Sequence, residues 1–172
     1  MKRHALALTA ACALVLSGCG GASEEDTEAA SSLSASLMEQ GDSTVSVSQE
    51  EADCVSEGIV EGVGVDELKE YGVLTEDLKI DKDPGEVEMS TADAEAAADS
   101  LFDCTDVRAM VDSQMSEQMA GQPPEVQKCL DEVLTDDRLR LLYVAIFSGD
   151  QEGAQSEIVE PMTECATSAM RP

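Results

Sequence analysis

Four cysteines set the strictest limit on how this chain can fold. Cys54, Cys104, Cys129 and Cys165 lie far apart in sequence, and no two of them form a Cys-x-x-Cys pair. Structural zinc and iron–sulfur sites are built from close cysteine pairs, and dithiol redox sites from Cys-x-x-Cys, so the spacing fits neither chemistry. In an oxidising compartment the same four thiols imply two disulfides, with three pairings open. The N-terminus decides whether the chain reaches such a compartment.

Lys2 and Arg3 make a positive start, and Ala5 to Leu16 follow as an apolar run. At about a dozen residues that run has signal-peptide length and is too short to span a bilayer. It ends in Leu16-Ser17-Gly18-Cys19, small residues leading to a thiol. The pattern resembles the lipobox of bacterial lipoproteins. That resemblance implies cleavage before Cys19, a diacylglycerol on its thiol and an acyl chain on its new amino group. One acyl chain binds a membrane only marginally and two hold it stably, so the resemblance implies an anchored protein on the outer face of the plasma membrane. An ordinary secretory signal cut elsewhere would leave Cys19 a bystander. Cys12 leaves with the leader in either case.

Removing residues 1–18 of 172 leaves 154, enough for one domain with its own core. Loss of Lys2 and Arg3 takes the formal charge from −27 to −29. A field of that sign repels nucleic acid phosphates and anionic headgroups, and attracts cations or a basic partner; it also keeps an exported chain solvated. The aromatic residues are Tyr71, Phe102, Tyr143 and Phe147, with no Trp, which leaves few anchors for a sugar cleft or an interface hot spot. The single histidine, His4, lies in the leader. The mature chain therefore has no side chain that titrates near neutrality unperturbed, and no Ser-His-Asp, Cys-His or His-containing zinc site.

Residues 19–47 read as a lipidated N-terminus and a flexible Ser-rich, acidic tether, with a reach on the order of 30 Å. A short helix near Glu28–Met38 would have nothing to pack on. The folded domain is expected over 48–172. Ser48 and Glu51 have capping-box spacing, and Val55, Ile59 and Val63 line one helical face up to Gly62 and Gly64. Asp66 opens a short helix with Leu68 and Tyr71 inward, closed by Gly72. Residues 73–90 read as an irregular acidic loop with turn chemistry at Asp83-Pro84-Gly85. A longer helix runs from Ser90 or Thr91 to Phe102 and Cys104, and Val107, Met110, Val111, Met115 and Met119 continue the helical spacing to Gly121. Pro124 suits a first helical position, and Val126, Cys129, Leu130, Val133 and Leu134 form that helix's inner face. Thr135 caps the next helix, whose Leu139, Leu142, Tyr143, Ile146 and Phe147 make it the expected core. The last helix carries Ile158, Val159, Met162, Cys165 and Ala169, kinked or restarted at Pro161. The expectation is an all-α fold, a small bundle of about five to seven helices.

The chain also carries a weak internal likeness. Glu50-Glu51-Ala52-Asp53-Cys54-Val55 aligns with Glu125-Val126-Gln127-Lys128-Cys129-Leu130, and Leu101-Phe102-Asp103-Cys104 with Met162-Thr163-Glu164-Cys165. Two Cys-containing units follow, roughly 48–121 and 122–170, and they favour the pairs Cys54–Cys104 and Cys129–Cys165. Asp53-Cys54, Gly64-Val65-Asp66-Glu67-Leu68 and Asp103-Cys104-Thr105-Asp106-Val107-Arg108 resemble a group of uncharacterised exported proteins and lipoproteins of actinobacteria, over most of residues 48–166. The resemblance implies fold and compartment and carries no chemistry.

Other candidate sites are weaker. Asp81-Lys82-Asp83-Pro84-Gly85-Glu86-Val87-Glu88 alternates oxygen ligands, but an EF-hand loop counted from Asp81 needs Gly at its sixth position and Glu at its twelfth, where Glu86 and Ala92 stand. Met110, Met115, Met119, Met162 and Met170 suit gap-filling in a core better than soft-metal binding. Paired carboxylates are the one hydrolytic chemistry open without histidine, yet the acids fall on solvated helix faces and first turns. The sequence thus points to a binding or scaffolding lipoprotein at the cell envelope with a protein partner, without enzyme activity, metal or cofactor. The alternative is a cation-binding or small-solute-binding envelope protein.

Overall fold

The computed structural model describes residues 22–41, 47–118 and 123–168. The fold is all-α, and among the described residues the one β-type pairing is an isolated antiparallel bridge between Leu74 and Ile80. The helices are α1 (Glu24–Gly41), α2 (Gln49–Val63), α3 (Val65–Glu70), α4 (Thr91–Cys104), α5 (Val107–Gln118), α6 (Pro124–Val133), α7 (Asp136–Phe147), α8 (Gln151–Ala154) and α9 (Glu160–Ser168), with one wide π-helical stretch at Gln155–Val159.

The first departure from expectation is α1. The serine-rich composition predicts a tether here, yet α1 is a helix of 18 residues whose Ala29, Ala30 and Leu33 lie in the main core with Leu37 beside them. The spacing of those four is a helical stripe, which the serine-rich composition conceals. Ser23 starts the helix by a reciprocal cap: its hydroxyl accepts from the Asp26 amide at 3.0 Å while its own amide donates to Asp26 Oδ2 at 2.8 Å. The surface α1 packs on is α2. The folded body therefore includes α1 and does not start at 48; residues 1–21 and 42–46 lie outside the described residues.

Helix α2 has the expected capping box, with the Ser48 hydroxyl accepting from the Glu51 amide and the Glu51 carboxylate accepting from the Ser48 amide. Its buried face includes Val55, Ile59 and Val63, and Gly64 ends it at φ 98°, a conformation that favours glycine. α2 and α4 run antiparallel along a seam of small residues: Gly58 lies against Ser100 and Gly62 against Ala96, with the Cys54–Cys104 disulfide one turn further along. A Cβ on Gly58 would stand 2.8 Å from Ser100 Oγ. Both glycines thus allow the helix axes to approach closely.

Between α3 and α4 the chain is irregular, as expected, but it is more than a solvated acidic loop. Val73, Leu74, Leu78, Val87 and Met89 point into the core. The Met89 amide donates to the Phe147 carbonyl at 2.9 Å and fixes the loop to the end of α7.

Helix α4 does not continue into α5. Thr105 is extended (φ −135°, ψ 151°), and Asp106 then restarts the helix by accepting from the Ala109 amide at 2.8 Å. Helix α6 begins at Pro124 and α7 at the Thr135 cap, as the sequence indicated.

Helix α7 is the most apolar stretch, but it is not the centre of the core. Leu139 and Ala145 are buried, whereas Leu141 is 51% and Ile146 37% exposed. The largest core lies among α1, α2, α3, α4 and the loop, where Leu68, Val73, Ala94 and Ala97 are fully enclosed. Helix α7 joins the parts: Val144 and Phe147 face that core, and Leu139, Leu142 and Tyr143 face a second one with Val107, Leu134 and Ile158. A third, small cluster pairs α6 with α9 through Val126, Leu130, Val133 and Cys165. The restart expected at Pro161 is present: after π-helical turns at Gln155–Val159, α-helix resumes at Glu160 with Pro161 in its first turn, where a missing N–H is tolerated.

Candidate functional site

A solvent-open groove of about 770 Å3 runs along the surface of α1 and α2. Asp26, Thr27 and Ser31 line it from α1, and Asp53, Glu57 and Glu61 from α2, with the exposed Ala22 also in its wall and the buried Ala30 and Val60 beneath. No lysine or arginine among the described residues forms an ion pair with these four carboxylates.

Three hydrogen bonds close one end of the groove. The Ser34 hydroxyl, 2% exposed, donates to Asp53 Oδ1 at 2.6 Å. The Gln49 amide nitrogen donates to Asp53 Oδ1 at 2.7 Å and to Ser34 Oγ at 3.0 Å. These bonds, Ser34 first, hold the Asp53 carboxyl below its usual range. Asp26 is likewise held low by the backbone and side chain of Ser23, and Glu51 by the side chain and backbone of Ser48. Asp93 accepts from Tyr71 Oη at 2.6 Å and from Ser90 Oγ at 2.7 Å, which lowers it too. Among the described residues, each carboxyl that shifts clearly is stabilised as the anion, the reverse of what a general acid requires.

Three basic residues, Arg108, Arg140 and Lys69, act as clasps between helices. Arg108 donates through Nε to both oxygens of Asp112 at 2.9 and 3.0 Å, through Nη2 to Asp131 Oδ1 at 3.0 Å, and through Nη1 to the Leu134 carbonyl. It thereby joins the start of α5 to the C-terminal end of α6, where carbonyls lack helical partners and a cation opposes the dipole. Arg140 pairs with Asp99 and lies 4.9 Å above the Phe102 ring, joining α7 to α4. Lys69 of α3 pairs with Glu25 in the first turn of α1.

The four cysteines form the disulfides Cys54–Cys104 and Cys129–Cys165, each with Cα atoms 5.6 Å apart. Each joins two packed helices, the antiparallel α2 and α4 in one case and α6 and α9 in the other. Cys54 lies at the surface and Cys165 is 2% exposed. Cys19 lies outside the described residues, as do Met119 and Met170. Met115 and Met162 pack between the second and third clusters. Asp81 to Glu88 include a single turn at Pro84–Glu86, and among the described residues no group of three or more His, Cys, Asp or Glu side chains is placed to hold a metal ion. No described helix is long and apolar enough to cross a membrane.

The sequence reading missed α1's contribution to the groove, the Ser34–Asp53–Gln49 bonds and the Arg108 clasp. The apolar stripe Ala29, Ala30, Leu33 and Leu37 was the available signal for α1. The i,i+4 pair Arg108 and Asp112 was a partial signal for the clasp, but its reach to α6 depends on tertiary contact. Compared with known protein families, curated proteins and solved structures, the chain matches none.

Proposed function

We propose that this chain is a lipid-anchored extracytoplasmic protein that acts by binding or scaffolding at the cell envelope, with a protein as its partner. The observation that carries the reading is the pair of disulfides clamping two helix pairs. Such bonds persist in oxidising compartments, so they support export and the lipobox-type N-terminus with Cys19 as the lipidated residue. A binding role is supported by the rigid helical body and by carboxylates held as anions. Leu141 and Val159, 51% and 53% exposed, offer apolar contact from that frame. The surplus of carboxylates favours a basic partner surface and opposes nucleic acid.

Cross-linking in intact cells, followed by purification through a tag at Pro172 and mass spectrometry, tests the role. Enrichment of one envelope protein is the expected result, with cross-links mapping to one face. Recovery of no specific partner at good expression would overturn it. The second reading, binding of a cation or small cationic solute, has the α1–α2 groove in its favour. A thermal midpoint that rises with a polyamine, and falls back in Glu57→Gln with Glu61→Gln, would support it.

A further inference from the structure

The departure of α1 from a flexible tether to a packed helix changes where the protein stands. Residues between the lipid and the body are reduced from a long coil to Gly20, Gly21 and Ala22, since Ser23 already caps α1. Four Cα–Cα steps from Cys19 to Ser23 span at most about 14 Å fully extended. We infer that the lipid on Cys19 holds the folded body directly on the bilayer with the N-terminal end of α1 facing the membrane. The inference rests on the reading of Cys19 as the lipidated residue and adds distance and orientation to it.

Which pole faces the lipid follows from the contacts of that helix end. Glu25 is paired with Lys69, so α3 lies at the same end. Ser34, further along α1, meets Gln49 and Asp53 near the start of α2, so α1 and α2 run antiparallel and the end of α2 is also near the membrane. The Cys54–Cys104 bridge, at the other end of α2, is distal. The pole the anchor pins is itself acidic, with Glu24, Glu25 and Asp26 in the first turn of α1 and Asp66 and Glu67 in that of α3, so the orientation follows from the length of the connection and not from charge. With only Gly20, Gly21 and Ala22 between them, the body lies within about one domain height of the headgroups, on the order of 40 Å.

Energy transfer from the full-length lipidated protein to acceptor-labelled headgroups in vesicles tests this. Donor dyes are placed through azido side chains at Glu70 in α3 or at Asp103 near the end of α4, both exposed. Transfer from Glu70 should exceed that from Asp103 by about twofold or more. A flexible Gly-Ser insert of about 20 residues between Gly21 and Ala22 should lower the Glu70 signal by half or more, because such a coil reaches about 25 Å. Equal transfer from the two positions, or an insert without effect, overturns the proposal. Cys19→Ala separates its failure from that of the underlying reading: a variant that still floats with vesicles refutes lipid anchoring itself, whereas loss of flotation leaves only the orientation in question.

Discussion

Replacing Leu33 by alanine measures how firmly α1 belongs to the folded body. Leu33 is 2% exposed and lies among Ala29, Ala30 and the core residues of α2. Burial of a leucine side chain contributes about 2–3 kcal/mol, and truncation to alanine adds the cost of the cavity, so about 3 kcal/mol is expected. For a domain of this size that is about 10 °C in thermal midpoint. If α1 undocks before the remainder unfolds, the loss is capped at the docking free energy and appears instead as faster amide exchange along α1. Ser34→Ala should lower the midpoint further, because the hydroxyl that links α1 to Asp53 and Gln49 of α2 is lost. Circular dichroism melts and hydrogen exchange read the two effects separately. An unchanged midpoint together with unprotected α1 amides in the wild-type protein would refute the packing of α1, and with it the short anchor.

Three further outcomes follow from the helix seams and clasps. Cys129→Ala with Cys165→Ala should cost about 4 kcal/mol by the loop-entropy estimate for a separation of 36 residues, read by denaturant titration under non-reducing conditions. Gly58→Val should lower the thermal midpoint more than Gly62→Ala, since Ser100 Oγ and Cβ stand 2.8 and 2.9 Å from a Cβ at 58 while Ala96 Cβ stands 3.0 Å from one at 62. A reversed order would show that α2 and α4 are not in this register. Asp93, lowered by Tyr71 and then Ser90, adds stability that is present above its unfolded value of 3.8 and is lost as the pH falls through its folded value. Asp93→Asn should flatten the acid limb of a stability profile below about pH 4, and an unaltered limb would remove Asp93 from the account.

Much of the architecture was legible because the relevant signals are local. Ser48, Ser90 and Thr135 cap helices through their own neighbours, and Pro124 and Gly64 mark a start and a stop by backbone chemistry alone. The pairing of the cysteines was legible through the likeness of the two segments. The groove was not, because half of its lining comes from a helix whose serines disguised its stripe.

The sequence by itself determined the helical class, most helix boundaries and the limits on chemistry, since propensity, capping and residue inventory act over a few positions or over none. Tertiary structure decided what covers what. Helix α1 is stable because α2 presents a face to it, and the apolar α7 is left half-exposed because it joins two cores instead of filling one. Arg108 became a clasp because the chain returns α6 to the start of α5. These outcomes depend on burial and partner geometry between distant segments, which no local pattern encodes.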